Sequence, residues 1–474
     1  MKYIATTPLL LLFLLSCGNE DSQPANRPDL VLIVVDTLRA DHLSLYGYDR
    51  PTTPGLKSIA NDGVLFLDTT AQSSWTLPSM ASLLSGRRVF INALEMPPTV
   101  PTLAEMLQAS GYETHAFVGN PAISPKGNYH RGFNTFTGRE VTGDKTWDCS
   151  DLEKTLSSFL EQRPQSDKPQ FYYLHYLDPH YPYAPSDTPL TTNRVTIRPD
   201  VFEAWESTAK GLAPNHPIHS SWEDDQASIA KAIDSYDKEI AAIDRSVITV
   251  LELLDSARPS GRDSLFILAS DHGEGLWDHA HHPEVVSRSI DDEKQTLQHL
   301  YFRDHSYHLY QELLHTPLLV AGPGFRGGTQ CSLPVENIDI FPTLLHAAGV
   351  ALPGTLDGQP LQQILSGDLR PAPFITAHAN EGTMIRATQS GWKLVWPTDT
   401  GFSFGMPAQL YHLGADPYER NNQVEHQVEI YAQLLKIREQ MASGFNLYEG
   451  ETHSIDPEQQ KVLKEMGYLD VGGR

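Results

Sequence analysis

Two apolar stretches that lie far apart in the chain, VLIVVD at residues 31–36 and LFILASDHGE at residues 265–274, decide the fold. Each is a hydrophobic run that ends abruptly in a carboxylate, and such runs are typical of strands buried in a parallel sheet. The carboxyl ends of parallel strands face the crevice in which open α/β sheets bind ligands. We therefore expect Asp36, Asp271 and His272 to meet there and to form a divalent-metal site. The alternative is that Asp36 caps a helix and that the other two residues lie in an ordinary loop.

The chain around these stretches alternates between strand-like and helix-like patterns. Residues 114–118 and 317–322 are typical of strands, and apolar residues at helical spacing predict a helix over residues 229–254. This alternation predicts an α/β domain over residues 28–370, with a large mixed, mostly parallel sheet flanked by helices. Beyond it, short strand-like runs followed by a helix predict a small C-terminal α+β subdomain and tail over residues 371–474.

A third segment, SSWTLPSMASLLSGR at residues 73–87, begins as a polar turn and continues as a short helix. Pro78 suits the first turn of that helix, and Gly86 suits its end. Thr76 lies just before the predicted start of the helix. Taken alone, Thr76 is therefore interpreted as the N-cap.

The same segment resembles the nucleophile motif of the sulfatases, a branch of the alkaline-phosphatase superfamily. The family motif is Cys/Ser-x-Pro-Ser-Arg with a Leu-Leu-Thr-Gly-Arg-like tail, and this chain has Thr-x-Pro-Ser-Met at residues 76–80 and Leu-Leu-Ser-Gly-Arg at residues 83–87. The resemblance implies an alkaline-phosphatase-like sandwich that acts as an ester hydrolase. Further segments resemble family motifs in the same order along the chain: VVDTLRADHL at 34–43, LDPHYPY at 177–183, YDKEI at 236–240, SDHGE at 270–274, DIFPTLL at 339–345 and DPYERN at 416–421.

The chain departs from the sulfatase pattern at several positions. Active sulfatases convert the Cys or Ser of the motif to formylglycine, and Thr76 cannot follow that route. A threonine alkoxide can attack an ester, but the intermediate must then be hydrolysed by water or passed to an acceptor. Superfamily relatives that use Thr are mostly phosphodiesterases, phosphatases or phosphoethanolamine transferases. In addition, the motif Arg is Met80, Gly-Asn-Pro at residues 119–121 replaces the family's Gly-Lys-Trp-His-Leu-Gly, and Thr37 replaces the second Asp of a common pair.

The resemblance also implies a set of metal ligands. It assigns Asp36, Thr76, Asp271 and His272 to one divalent ion, which would be zinc, manganese or calcium. A set with one imidazole and few oxygens favours zinc or manganese over a calcium cage of about six to eight oxygens. A cation beside Thr76 would lower the pKa of its hydroxyl and polarise the ester.

Two histidines are candidates for further catalytic roles. His180 lies in a proline-bounded loop after an apolar strand, and His305 lies in a stretch that resembles the family. One role is to hold the non-bridging oxygens of the transferred group, and the other is to protonate the leaving oxygen. The alternative is a structural role, because the chain has 20 histidines and most must be surface or hydrogen-bonded residues.

Together these residues predict a metal-dependent, sulfatase-like hydrolase of sulfate or phosphate esters, with Thr76 as the metal-activated nucleophile. One alternative is a phosphodiesterase, phosphatase or phosphoryl transferase of the same superfamily. Another is a non-catalytic binding protein that retains the sulfatase scaffold. The predicted substrate is a small-molecule or glycan ester.

The charge of the chain bears on its partners. It has 35 Lys and Arg against 59 Asp and Glu, a formal net charge of −24. Nucleic acid is therefore not expected as a partner, because phosphate contacts need a basic footprint. A sulfated polysaccharide would need a local basic cleft.

The N-terminus predicts export from the cytoplasm. Residues 1–17 have an apolar core that is too short to span a bilayer, and they end in LLSC, which resembles a bacterial lipobox. Cys17 would then carry a lipid anchor, residues 18–27 would form a polar tether, and the protein would lie in the bacterial cell envelope. Plain secretion is the alternative. Outside the cytoplasm Cys149 and Cys331 could pair.

Two polar segments lack a clear pattern. Residues 184–226 are rich in Pro, Thr, Ser and Asp. We interpret them as an insertion or a lid over the site, with a passive surface loop as the alternative. Residues 279–308 are rich in histidine and could shape the substrate pocket or bind a second metal.

Overall fold

The computed structural model describes most of the chain from residue 27 onward. The described residues are 27–88, 95–138, 147–183, 190, 195, 197–280, 296–301, 303, 305, 306, 308–379, 382–397 and 407–444. In chain order the strands are β1 (Asp29–Val35), β2 (Val64–Phe66), β3 (Thr69–Thr70), β4 (Glu113–Val118), β5 (Thr135–Gly138), β6 (Gln170–Tyr176), β7 (Ser264–Ser270), β8 (Leu318–Ala321), β9 (Thr329–Cys331), β10 (Val335–Glu336), β11 (Phe374–Ala379), β12 (Gly382–Ala387), β13 (Trp392–Pro397) and β14 (Gln409–His412). The α-helices are α1 (Pro54–Ala60), α2 (Thr76–Ser85), α3 (Leu103–Ala109), α4 (Cys149–Gln162), α5 (Pro199–Gly211), α6 (Pro217–Ala257), α7 (Leu297–Leu300), α8 (Gln311–Leu314), α9 (Ile340–Ala347), α10 (Leu361–Ser366) and α11 (Val428–Gly444).

Eight strands form one large sheet in the order β5-β4-β6-β1-β7-β8-β2-β9. β8 is antiparallel to its neighbours β7 and β2, and the other neighbouring pairs in this sheet are parallel. The predicted strands at residues 114–118 and 317–322 correspond to β4 and β8, and the predicted helix at 229–254 is part of the longer α6. The expected α/β fold with a mixed, mostly parallel sheet is therefore confirmed.

Alternation along β1 divides the core of this domain into two layers. All of β1 is buried, because it lies between β6 and β7 near the middle of the sheet. Leu32 and Val34 point into the layer that contains α2, whereas Ile33 and Val35 point into the layer that contains α6. Successive side chains of a strand face opposite sides of the sheet, so each layer covers one face.

A second, antiparallel sheet lies in the C-terminal part of the chain. Its order is β11-β12-β13-β14, and α11 packs against it through a cluster that joins Ile385, Leu394 and Leu410 to Leu434 of the helix. The sheet lies wholly beyond residue 370, where the sequence changes texture. The division into domains at that residue stays a prediction.

The described part of residues 184–226, which we interpret as an insertion or a lid, is mostly helical, so the alternative of a passive surface loop is wrong for it. It contains α5 and the first part of α6. Each of these helices begins with a proline, whose missing N–H would have no partner in the first turn. Val201, Trp205 and Ala209 of α5 are buried at intervals of about one helical turn. Whether the segment acts as a lid stays a prediction.

Cys149 and Cys331, which the sequence allowed to pair, are both free thiols in this structure. The predicted signal peptide at residues 1–17, the lipid-anchored Cys17 and nearly all of the tether at residues 18–27 lie outside the described residues. Within the described part of the chain, no helix has the length and apolar character needed to cross a membrane.

Candidate active site at the carboxyl end of the central strands

The two central strands place two carboxylates side by side. β1 and β7 pair in parallel with Val35 opposite Ser270, and Asp36 and Asp271 are the next residues. Both carboxylates are fully buried. They continue the alternation of the strands, so that their side chains face the layer that contains α2. The structure therefore brings these two acids together.

Thr76 is the first residue of α2 and not its N-cap, so that interpretation of Thr76 is wrong. The N-cap is Trp75, and it makes no side-chain capping bond. The start of α2 lies against the strand ends, and the hydroxyl of Thr76 points into the site instead of back to the helix. Its Oγ1 lies 3.2 Å from Nε2 of His272 and 3.5 Å from Oδ2 of Asp36.

The imidazole of His272 has one nitrogen fixed by the backbone and the other directed into the site. Nδ1 lies 2.8 Å from the carbonyl oxygen of Gly273, and we assign the proton to Nδ1. Nε2 then presents its lone pair 3.4 Å from Oδ2 of Asp271 and 3.7 Å from Oδ1 of Asp36. A backbone acceptor on the second nitrogen is the usual way in which a ligand histidine is oriented.

The loop at residues 271–273 is held by the helices on either side. Ser79 of α2 donates a hydrogen bond of 2.5 Å to the carbonyl oxygen of Asp271. The N–H of Gly273 donates to the carbonyl of Leu313 in α8 at 2.8 Å. A Cβ at Gly273 would lie 1.9 Å from the carbonyl oxygen of Glu312, so a glycine is required for this close approach.

Two further polar residues reach the site from strands that the sequence analysis did not assign to it. The amide Nδ2 of Asn120 donates to Oδ2 of Asp36. Nε2 of His175 lies 4.0 Å from that same oxygen, and its Nδ1 is 2.7 Å from the hydroxyl of Tyr173. Asn120 follows Val118 of β4 by two residues and His175 follows Tyr173 of β6 by two. Both residues therefore face the same side of the sheet as Asp36.

Burial dominates the electrostatics of this cluster. It raises the pKa of Asp36 well above its usual value, and the negative charge of Asp271 raises it further, against the hydrogen bond from Asn120. Burial lowers the pKa of His272, and it lowers the pKa of His175 to about 4. Both imidazoles are therefore neutral near pH 7, the state in which histidine binds metals.

The residues of this cluster fit a divalent cation. One ligand atom from each of Asp36, Asp271 and His272 lies within 4.8 Å of the other two, and the hydroxyl of Thr76 adjoins them. Oδ2 of Asp271 is buried and has no hydrogen-bond partner among the described residues. Two buried carboxylates that face each other repel unless one of them is protonated or a positive charge lies between them. Within the described ranges no second group of this kind exists, and residues 281–295 of the histidine-rich segment lie outside them.

Both predicted catalytic histidines lie beside this cluster. His305 is almost fully buried, and its ring centroid lies 4.6 Å from that of His272 and 5.0 Å from that of His180. Nδ1 of His305 is 3.2 Å from a carboxylate oxygen of Glu274. Nδ1 of His180 is 2.5 Å from the carbonyl oxygen of Tyr181. The three rings form a row, and the catalytic roles of His180 and His305 stay predictions.

Met80, which replaces the arginine of the sulfatase motif, is a core residue. It is completely buried on α2 among apolar side chains that include Leu77 and Leu84. The replacement removes a positive charge from this face of the helix.

Known hydrolases resemble this chain in sequence and in fold. The Sulfatase family model matches residues 28–350 of this chain. Over 86% of this chain and 86% of its own length, the Delta 4,5-hexuronate-2-O-sulfatase of Bacteroides thetaiotaomicron is 25% identical. The solved structure of a 2-O GAG sulfatase has a TM-score of 0.67 at 20% identity, covering 88% of this chain and 92% of that one. The phosphonate monoester hydrolase of Silicibacter pomeroyi has a TM-score of 0.63 at 20% identity, covering 88% and 95%.

The chain belongs to the sulfatase family, because the family model covers more than half of it. It is a sulfatase-like ester hydrolase with the fold of the known sulfatase structures. The resemblance drawn from the sequence motifs is therefore confirmed.

Proposed function

We propose that this protein hydrolyses a sulfate or phosphate ester of a saccharide, with Thr76 as its nucleophile and one divalent ion as its cofactor. The observation that carries the proposal is the position of the Thr76 hydroxyl, 3.2 Å from Nε2 of His272 and 3.5 Å from Oδ2 of Asp36. A threonine with only a structural role at the start of a helix usually directs its hydroxyl to a backbone N–H of the helix. The hydroxyl of Thr76 faces the carboxylate of Asp36 and the imidazole of His272 instead.

Asp36, Thr76, Asp271 and His272 would hold the ion. When bound, a divalent cation lowers the pKa of an adjacent hydroxyl and polarises the ester oxygens. Zinc or manganese suits a ligand set with one imidazole, and calcium stays an alternative.

The protein's own groups supply the remaining steps. The hydroxyl of Thr76 gives up its proton to solvent, and its Oγ1 attacks the sulfur or phosphorus as the bond to the leaving oxygen breaks. His180 or His305, whose rings follow that of His272, gives a proton to the leaving oxygen. Water then hydrolyses the threonine ester, and the imidazole that lost its proton takes one from the water.

The saccharide part of the proposal is supported by relatives. The hexuronate sulfatase reported above is matched over 86% of both chains. The nature of the acid group stays open between sulfate and phosphate, because both are tetrahedral oxyanions and because threonine replaces the formylglycine precursor.

The first experiment removes the nucleophile. Thr76→Ala should lower turnover of every accepted ester by at least about 10³-fold, as loss of a covalent nucleophile does. The assay is a panel of 4-nitrophenyl sulfate, 4-nitrophenyl phosphate and bis(4-nitrophenyl) phosphate, with the metal content of the purified protein measured alongside.

Ser85→Ala is the matched control. It also removes a buried hydroxyl from α2, but that hydroxyl donates to the carbonyl of Ala81 within the helix. The control should keep its activity. Full turnover in Thr76→Ala would reject the nucleophile, and bound metal without turnover of any ester would favour a binding protein on the sulfatase scaffold.

We also propose that the protein works in the bacterial cell envelope, held by a lipid on Cys17. The support is the short apolar leader that ends in LLSC. Expression in a bacterial host should give a membrane-bound form that detergent releases, and Cys17→Ala should abolish that form. A membrane fraction that is equally rich in the Cys17→Ala protein would reject the anchor.

A further inference from the structure

The row of three histidines leads from the metal cluster to a pair of exposed residues. The loop that carries His180 continues into Tyr181, and the loop that carries His305 contains Arg303. The guanidinium of Arg303 lies over the ring of Tyr181, 4.2 Å from its centroid. The two loops therefore meet twice, in the interior through His180 and His305 and at the surface through Tyr181 and Arg303.

The ring of Tyr181 is fixed relative to the catalytic cluster. It packs edge-on against Tyr183 at 5.5 Å, and Tyr183 packs edge-on against the buried Tyr236 at 5.6 Å. The hydroxyl of Tyr236 donates to the carbonyl oxygen of Thr37, the residue after Asp36, at 2.7 Å. A series of aromatic contacts thus connects the ring of Tyr181 with the backbone next to Asp36. The exposed fraction of Tyr181 is 44%, so that a ligand can reach its ring.

Arg303 differs from the other arginines near this edge of the sheet. Arg39 and Arg198 both pair with Asp278, and Arg420 pairs with Asp200. Among the described residues, no carboxylate pairs with Arg303. A guanidinium that lies on an aromatic face keeps its N–H groups at the ring edge free to bind an anion in a bidentate manner.

We propose that Tyr181 and Arg303 form a subsite for the organic part of the substrate, and that this part is a ring with a second negative charge, such as a carboxylate or a second sulfate. Tyr181 supplies an aromatic face for the ring. Arg303 supplies the positive charge, which a protein of net charge −24 must concentrate locally in order to bind an anionic saccharide. This inference rests on the proposed function, because it names the substrate of the same site.

The test compares two esters that differ in one charge, 4-nitrophenyl sulfate and its 3-carboxy derivative, or the corresponding phosphates if phosphate is the accepted group. Dissociation constants are measured by titration calorimetry in a Thr76→Ala background, so that no turnover interferes. Arg303→Gln should weaken binding of the carboxylated ester by about tenfold more than binding of the plain ester, as expected for a lost charged hydrogen bond. Tyr181→Ala should weaken binding of both esters, because both need the aromatic face.

Arg326→Gln is the matched control for net charge. Arg326 is exposed and lies 3.7 Å from Asp263. Asp263 immediately precedes β7, at the amino end of that strand and therefore away from Asp271 at its carboxyl end. If Arg303→Gln weakens binding of both esters equally, or if Arg326→Gln produces the same selective loss, the subsite is wrong. Turnover by the protein with intact Thr76 is recorded separately, so absent hydrolysis with a selective loss of binding would reject the proposed function and retain the subsite.

Discussion

Two groups of buried charges in this protein are built in opposite ways. In the C-terminal part, Lys393 and Glu419 have fully buried side chains and form an ion pair of 2.7 Å. The other carboxylate oxygen of Glu419 accepts a 2.6 Å hydrogen bond from the N–H of Gln311, and Lys393 is 3.3 Å from the side-chain oxygen of that residue. Every charge in this pair is matched by another group of the protein.

The catalytic cluster instead concentrates negative charge. Asp36 and Asp271 are completely buried and adjacent. No lysine or arginine in the described part of the chain pairs with Asp271, and its Oδ2 makes no hydrogen bond there. A buried pair that is complete within the protein serves structure, whereas a buried cluster that lacks one positive charge is suited to bind a cation.

The largest effect is expected when a negative charge is removed from the cluster of Asp36 and Asp271. Asp271→Asn should lower turnover by at least about 10³-fold, because it removes a carboxylate that would hold the proposed ion beside Thr76. In the presence of EDTA its free energy of unfolding should stay equal to that of the wild type or rise. The variant loses a charge that repels Asp36, and its amide oxygen can still accept from the N–H groups of Thr37 and His272, as the carboxylate does. Urea unfolding and the ester panel measure the two effects.

The same variant tests the cation directly. A divalent ion at about 100 times its dissociation constant should stabilise the wild type by about 2.7 kcal/mol and should not stabilise Asp271→Asn. Asp263→Asn, an exposed change at the amino end of β7, should be as active as the wild type and should be stabilised by the ion to the same extent. A loss of stability in Asp271→Asn that EDTA does not alter would mean that the cluster is a structural network.

The second test breaks the matched pair. Lys393→Met should lower the free energy of unfolding by about 3–5 kcal/mol, because it leaves the carboxylate of Glu419 buried without a positive partner. Adding Glu419→Gln should recover most of that loss, since the amide can still accept from Gln311. The denaturant midpoints of the single and the double variant measure these changes in stability. If Lys393→Met alone were as stable as the wild type, the ion pair would contribute nothing to stability.

Much of the fold and part of the site could be predicted from short-range patterns. β1 and β7 are continuous apolar runs, and the acids at their ends meet because the strands are parallel neighbours in register. The sequence motifs also brought Thr76 and His272 to the site. Asn120 and His175 were not assigned to it, since their contact with Asp36 depends on the order of β4, β6 and β1 in the sheet, which no local pattern encodes.

The wrong interpretation of Thr76 and the unpredicted helices in residues 184–226 have a common physical origin. Thr76 was read as an N-cap because threonine often caps helices, but contacts with Asp36 and His272 decide where its hydroxyl points. The helices within residues 184–226 are not predicted, because the segment is polar and its periodicity is weak. The buried stripe of α5 comprises only Val201, Trp205 and Ala209, and it becomes visible once tertiary packing is known. In both cases long-range contacts determine what local composition leaves ambiguous.

The smallest expected effect concerns Asp178, a partly buried acid that has no basic partner in an ion pair among the described residues and that lies outside the cluster of Asp36 and Asp271. Its carboxylate accepts a 2.9 Å hydrogen bond from the N–H of Cys149, and burial, with smaller contributions from Asp148 and Asp151, raises its pKa from 3.8 to about 7. The folded protein therefore binds this proton more tightly than the unfolded chain. The stabilisation that this group provides is complete below about pH 4 and is lost as the pH rises to about 7.

Asp178→Asn should remove this dependence, because asparagine keeps a carbonyl oxygen for Cys149 and does not ionise. The slope that one group can contribute is at most about 1.4 kcal/mol per pH unit, so urea unfolding at several pH values between about 4 and 8 is sufficient to resolve it. Asp263→Asn, at an exposed position just before β7 and away from Asp178, should retain the wild-type slope. An unchanged slope in Asp178→Asn would mean that Asp178 ionises normally in the folded state. The expected flattening would show a third way in which this protein accommodates an acid away from water, by keeping its proton, beside the ion pair at Glu419 and the proposed cation site at Asp271.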